Sequence, residues 1–251
     1  MSRPVIVSLD CSTLTLSLAL LRADGVLVEE RKIDPPQRQS EILPAAIEQL
    51  LTAHQLTLKD VTGLVVGLGP GSFTGLRIGL ATAKGLAYAL QMPIVGASSL
   101  AALALEGPEN VELFCCAVVK KGELYVGRYR RAAPLTPTLS PLAQGEGEVS
   151  MTLAQLADAL KAAPHARMIG PALTDWRAPL EALGVPPASF LDGPVVPSAA
   201  ALAKLVTLPA SYDPEALFSL EPHYIRGSGA EENPKFPPLP GAEPKARLKE
   251  D

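Results

Sequence analysis

The pattern of apolar and polar positions predicts alternating strands and helices. Three short apolar runs separated by polar turns occupy residues 4–10, 14–21 and 26–33, as expected for consecutive strands. A helical stripe of apolar residues follows over 39–54. Residues 61–68 form a valine-rich run typical of a strand buried on both faces, and a helix is predicted to about Leu90. The first part of the chain therefore has the order βββαβα.

The remainder predicts a second, smaller domain. Gly107-Pro108 marks a break, and a hairpin of residues 111–119 and 123–129 follows it. We place the domains at residues 1–106 and 107–226, with a mobile insertion at 132–150 and a disordered tail at 227–251. Helices are predicted at residues 151–162, 175–183 and 198–208, and a strand at 167–170.

The chain is organised around residues 61–90, where a glycine-rich loop joins a buried strand to a helix capped by Ser72 or Thr74. Such a loop can bind phosphate through free backbone N–H groups. However, the spacing of Gly69-Pro70-Gly71 matches neither the Walker A nor the dinucleotide fingerprint. The candidate nucleotide-binding residues are Asp10, Ser12, Thr13, Gly69, Gly71 and Ser72. The alternative is that Asp10, Ser12 and Thr13 form a turn held by local hydrogen bonds.

Small residues recur every fourth position along the helix, at Gly75, Gly79, Ala83 and Ala87. Each glycine costs about 1 kcal/mol relative to alanine inside a helix, so this stripe implies that another backbone approaches closely. The neighbour is either the protein's own sheet or another subunit. Arg77 and Lys84 could rim an interface between subunits.

Composition and charge narrow the function classes. The net charge is −4, so no bulk positive field recruits nucleic acid. Three cysteines do not form a disulfide framework, and the N-terminus shows no signal-peptide pattern. We therefore expect a cytoplasmic protein that does not enter a membrane. The three histidines are scattered without metal-binding spacing, so no metal site is predicted.

The run Gly69–Ala87, GPGSFTGLRIGLATAKGLA, resembles the signature of the TsaB (YeaZ-type) family. The segments Ser40–Pro44, Gly122–Tyr125 and Glu221–Arg226 are also similar to family motifs, although Gln39 replaces the usual histidine. The resemblance implies an α/β, actin-like ATPase (ribonuclease H-like) fold with two βββαβα-type lobes, the second degenerate.

The resemblance also implies a function. TsaB proteins pair with TsaD, which transfers threonylcarbamoyl to the adenosine beside the anticodon of tRNAs that read A-starting codons. A non-catalytic scaffold is implied, which forms a homodimer in isolation, cooperates with a TsaE-like ATPase and reaches tRNA only through the complex. No cofactor of its own is expected, and ATP or ADP would bind only at an interface with TsaD or TsaE.

The helices that would contact TsaD supply the predicted interface. Its residues are Gln39, Ser40, Glu41, Ile47, Gly75, Leu76, Arg77, Gly79, Leu80, Ala83 and Lys84. On this hypothesis Gly79→Leu would weaken assembly by roughly 5- to 150-fold.

Catalysis by the chain itself is the alternative. An ATP-dependent small-molecule kinase or acyltransferase would use Asp10, Ser12 and the loop Gly69–Ser72. The hairpin turn at Lys120-Lys121-Gly122 lacks the acidic, glycine-rich second phosphate loop of a working actin-like ATPase. We therefore predict no catalytic residues.

Overall fold

The computed structural model describes residues 4–34, 39–120, 123–131, 139–141, 148–192 and 196–223. Its first sheet contains five strands in the order β3-β2-β1-β4-β5. Their bounds are β1 Val5–Asp10, β2 Leu16–Arg22, β3 Leu27–Ile33, β4 Val61–Gly67 and β5 Ile94–Ala97. Strands β1, β4 and β5 are parallel, whereas β2 and β3 run antiparallel to their neighbours. This α/β arrangement confirms the predicted βββαβα order.

Successive side chains of β1 point to opposite faces of this sheet, so they contribute to the core on both sides. Val7 and Leu9 face helices α1 (Gln39–Ala53) and α2 (Phe73–Leu90). Ile6 faces the opposite side, where helix α3 (Ser99–Leu105) and a later helix cover the sheet. Both faces are therefore buried, and the apolar character of β1 and β4 follows from this.

The second sheet has the strand order β10-β6-β7-β8, with β9 also paired to β7. Its strands are β6 Glu112–Lys120, β7 Glu123–Arg131, β8 Leu139–Pro141, β9 Val149–Thr152 and β10 Arg167–Ile169. Helices α4 (Leu153–Ala162) and α5 (Leu173–Ala182) accompany it. The hairpin of β6 and β7 was predicted, whereas β8 and β9 were not.

The segment after the second sheet returns to the first lobe. Helix α6 (Ala199–Lys204) packs its alanines against Ala19 and Leu21 of β2. Helix α7 (Pro214–Ser219) places Leu217 in the first core. By packing, residues 196–223 therefore belong to the first lobe, although the sequence assigned them to the second domain. The tail at 227–251, most of the insertion and the motif residues after His223 lie outside the described residues.

Helix α6 is held by a carboxylate from the edge strand β3. Glu30 Oε1 accepts hydrogen bonds from Ser198 Oγ (2.7 Å) and the Ala200 N–H (3.2 Å). The Ala199 N–H donates to Ser17 Oγ at 2.9 Å. These contacts satisfy the free N–H groups at the start of the helix. The helix predicted over residues 198–208 is present, but it spans only Ala199–Lys204.

Candidate functional site

Asp10, the last residue of β1, is buried in the protein interior. Its Oδ1 accepts hydrogen bonds from the Ser12 N–H (2.8 Å) and Ser12 Oγ (2.5 Å), and its Oδ2 accepts one from Ser99 Oγ at 2.5 Å. Gly67 leaves room for the carboxyl group, because a Cβ at that position would lie 2.0 Å from Oδ2. Asp10 is fully buried, so it presents no surface to a nucleotide.

The glycine-rich loop is hydrogen-bonded to Ser99 and Ser12, the residues that also bond Asp10. The Gly69 N–H donates to Ser99 Oγ (3.1 Å), and the Ser72 N–H donates to the Ser12 carbonyl oxygen (2.7 Å). Gly71 packs so closely that a Cβ there would lie 2.2 Å from the same carbonyl oxygen. Gly69 has a φ of +90°, which favours glycine. The loop is thus packed onto the β1–β2 turn, and two of its N–H groups are already bonded.

The six candidate nucleotide-binding residues make contacts within the chain, and nucleotide binding by them stays a prediction. Ser12 is buried with Asp10, and Thr13 Oγ1 donates to the Thr15 carbonyl oxygen at 2.8 Å. Ser72 caps α2 by accepting the Gly75 N–H at 3.2 Å. The local hydrogen-bonded turn, the alternative set against phosphate binding, accounts for these contacts.

The burial of Asp10 has a measurable consequence. Desolvation raises the pKa of its carboxyl group above the usual 3.8, although the hydrogen bonds from Ser12 and Ser99 oppose the shift. Between the unfolded and the raised folded pKa, the folded protein binds more protons, so stability falls as pH rises.

We therefore expect the unfolding free energy of the wild type, relative to Asp10→Asn, to decrease as pH rises from 3.8 and then to level off. Chemical denaturation of both proteins across this pH range measures the difference. A difference that increases with pH would contradict the assignment.

The small-residue stripe of α2 faces the protein's own sheet. A Cβ at Gly75 would lie 2.1 Å from the Cys11 carbonyl oxygen, and one at Gly79 would lie 2.9 Å from Cys11 Sγ. Leu76, Leu80 and Ala83 are also buried. This corrects the predicted interface: these five residues pack within the chain and cannot supply the side chains that contact a partner. Of the two explanations for the stripe, close approach to the protein's own backbone holds.

A solvent-accessible groove runs between the outer sides of α1 and α2. It has a volume of about 1020 Å³, and Ala45, Glu48, Ala81 and Gly85 are exposed along it. Ile47, predicted at the interface, belongs to the core and also reaches the groove lining. The groove was not predicted as such, because the sequence pattern located the helices but not the space between them.

The polar residues of the predicted interface occupy several environments. Gln39 Nε2 donates to the carbonyl oxygens of Thr13 (3.0 Å) and Leu14 (3.2 Å), so this side chain ties α1 to the β1–β2 turn. Ser40, Glu41 and Arg77 are exposed. Their contact with a partner stays a prediction.

Helix α7 adds features that sequence reasoning missed. Lys84 Nζ donates to the Phe218 carbonyl oxygen at 3.1 Å. The rings of Tyr88 and Phe218 lie 6.1 Å apart, and both side chains are exposed. Lys84 therefore joins α2 to α7, and its position at the rim of an interface stays a prediction.

Comparison with known proteins identifies the type of chain. Residues 36–142 match a family model described as "TsaD: tRNA N6-adenosine threonylcarbamoyltransferase". The chain is 36% identical over 126 residues to tRNA threonylcarbamoyladenosine biosynthesis protein TsaB of Bacillus subtilis, covering 50% of this chain and 55% of that one. YeaZ from Pseudomonas aeruginosa superposes with a TM-score of 0.62 and 26% identity, covering 80% of this chain and 90% of that one. The chain is similar to proteins named TsaB and YeaZ.

A second structure from Pseudomonas aeruginosa, described as similar to peptidase YEAZ, superposes with a TM-score of 0.66 at 25% identity, covering 89% of this chain and all of that one. The curated TsaB of Escherichia coli is 33% identical over 129 residues, covering 50% of this chain and 55% of that protein. The alignments thus span about half the length of these curated relatives. The actin-like, ribonuclease H-like fold expected for a TsaB/YeaZ-type protein is confirmed.

Two further observations concern the described part of the chain. Within it, no helix is long and apolar enough to cross a membrane. No group of three or more histidine, cysteine, aspartate or glutamate side chains in those same residue ranges is arranged to hold a metal ion.

Proposed function

We propose that this protein is a scaffold subunit, without catalytic residues of its own, in the assembly that makes threonylcarbamoyladenosine in tRNA. Its partner would be a TsaD-type protein, which carries the metal and the transfer chemistry. Relatives at 33–37% identity are named as tRNA threonylcarbamoyladenosine biosynthesis protein TsaB. The net charge of −4 fits a protein that reaches tRNA through its partner.

The observation that carries this proposal is the open groove between α1 and α2. It exposes small and apolar side chains, including Pro44, Ala45 and Ala81, on two well-formed helices. Such a surface accepts an apolar helix face through side-chain packing. In isolation the same surface could pair with a second copy across a two-fold axis. A partner that replaces this copy would give the active heterodimer.

The kinase or acyltransferase alternative requires Asp10 to reach a bound nucleotide. Asp10 is instead fully buried and accepts hydrogen bonds from Ser12 and Ser99. This burial favours the scaffold. Within the proposal, a TsaE-like ATPase joins the heterodimer, ATP or ADP binds only at a subunit interface, and the assembly works in the cytoplasm.

Light scattering tests the proposal, first on the purified protein and then on its mixture with TsaD from the same genome, with an ATP titration of the isolated protein alongside. We expect a dimer that converts to a one-to-one heterodimer and does not bind ATP measurably when alone. A monomer that does not bind TsaD but binds ATP tightly would contradict the scaffold and favour the kinase.

A further inference from the structure

We propose that the carboxylate of Glu148 is a latch that fastens the second sheet to the first lobe. Its Oε1 accepts hydrogen bonds from Ser98 Oγ and from Tyr129 OH, the latter at 2.6 Å. Its Oε2 lies 3.7 Å from His223 Nδ1. Ser98 precedes α3, Tyr129 lies on β7, and His223 ends the described part of the segment that returns to the first lobe. One side chain therefore joins three separate parts of the chain.

The surroundings of Glu148 favour a specific role over a surface contact. Its side chain is 12% exposed, and a shielded carboxylate is costly unless hydrogen-bond donors compensate for the lost water. Hydrogen bonds to a charged acceptor are stronger than bonds between neutral groups. Ser98 and Tyr129 supply two such bonds, so their loss is expected to release the contact.

Tyr129 is positioned for this bond by its own strand. Residues 127 and 129 share one face of β7, and a Cβ at Gly127 would lie 2.5 Å from the Tyr129 ring. Gly127 therefore leaves space for the ring. Burial and the neighbouring Glu148 raise the pKa of the Tyr129 hydroxyl well above its usual value. The hydroxyl thus keeps its proton and remains a donor.

The latch lies beside the glycine-rich loop. Ser98 caps α3 by accepting the Ala101 N–H at 3.0 Å. The next residue donates its backbone N–H to the Gly69 carbonyl oxygen at 2.8 Å, and the His223 N–H donates to the Leu68 carbonyl oxygen at 2.8 Å. Separation of the second sheet from this region must break the Glu148 contacts. The inference does not depend on the proposed function, because it concerns contacts within one chain.

Hydrogen exchange on the full chain tests the latch. The reporters are the backbone amides of Ser99, Ala101 and His223, which are bonded near the latch within the first lobe. In Glu148→Ala we expect exchange at these three amides to be at least 10-fold faster than in the wild type, since local opening becomes easier. Tyr129→Phe removes one donor and keeps the ring, so it should give a smaller increase at the same amides.

Glu112→Ala is the matched control. Glu112 likewise accepts a side-chain hydrogen bond, since Arg128 Nε donates to its Oε1 at 3.0 Å, but both residues belong to the second sheet. This variant should leave the three reporter amides unchanged. If Glu148→Ala does not fold, Tyr129→Phe carries the test. Wild-type rates in the Glu148 and Tyr129 variants that fold, or an equal increase in the control, would overturn the proposal.

Discussion

Gly79→Leu is expected to destabilise the fold strongly, and not merely to weaken assembly. A Cβ at Gly79 would lie 2.9 Å from Cys11 Sγ, 3.1 Å from Cys11 Cβ and 3.4 Å from Leu9 Cδ1. The three remaining carbons of leucine have to displace β1 or the helix. Overpacking of this kind costs about 3 kcal/mol at the upper end of the usual range, which exceeds the gain of about 1 kcal/mol in helix propensity.

Gly85→Leu is the control, because it makes the same change on the same helix. Gly85 is exposed, and a Cβ there would meet no atom within 4 Å. This variant should be as stable as the wild type or about 1 kcal/mol more stable. Thermal unfolding of the three proteins gives the comparison, with a decrease of roughly 4–8 °C expected for Gly79→Leu from the net cost of about 2 kcal/mol. Equal melting temperatures for the two variants would show that the stripe does not pack on β1.

The outcome for α2 shows what a sequence pattern can and cannot specify. Its start at Ser72 and its end near Leu90 were predicted, because a side-chain cap and apolar periodicity are local signals. The spacing of Gly75 and Gly79 also correctly indicated a close neighbour. It could not indicate which backbone that neighbour was, since the protein's own strand and a partner helix require the same small residues.

Long-range packing accounts for the other differences between the predicted and the observed structure. Nothing near Leu208 in the sequence indicates that its side chain fills the space above Gly63, yet this contact helps to hold the returning segment on β4. Helix α7 did have a local signal, because Asp213 caps it and Pro214 occupies its first turn. The position of Asp10 at a strand end was also predicted. Its burial depends on Ser99, 89 residues later, and could not be read from the sequence.

Ala81→Arg is expected to abolish binding to the TsaD-type partner while the chain keeps its fold. Ala81 is exposed and lines the groove between α1 and α2. Arginine is well tolerated in an exposed helix position, so the melting temperature should change little. At the interface, its bulk and charge would be forced into an apolar contact. Bulk forced into a packed contact costs about 3 kcal/mol at the upper end of the usual range, which corresponds to a loss of affinity of about 100-fold.

Ala182→Arg provides the matched control for this binding experiment. Ala182 is exposed at the end of α5, on the second sheet and away from the groove. Both variants carry the same added charge, so a general electrostatic effect on binding would appear in both. Titration calorimetry with TsaD should give wild-type affinity for Ala182→Arg and no measurable binding for Ala81→Arg. If Ala81→Arg binds as tightly as the control, the partner uses another surface, and the groove does not carry the proposed function.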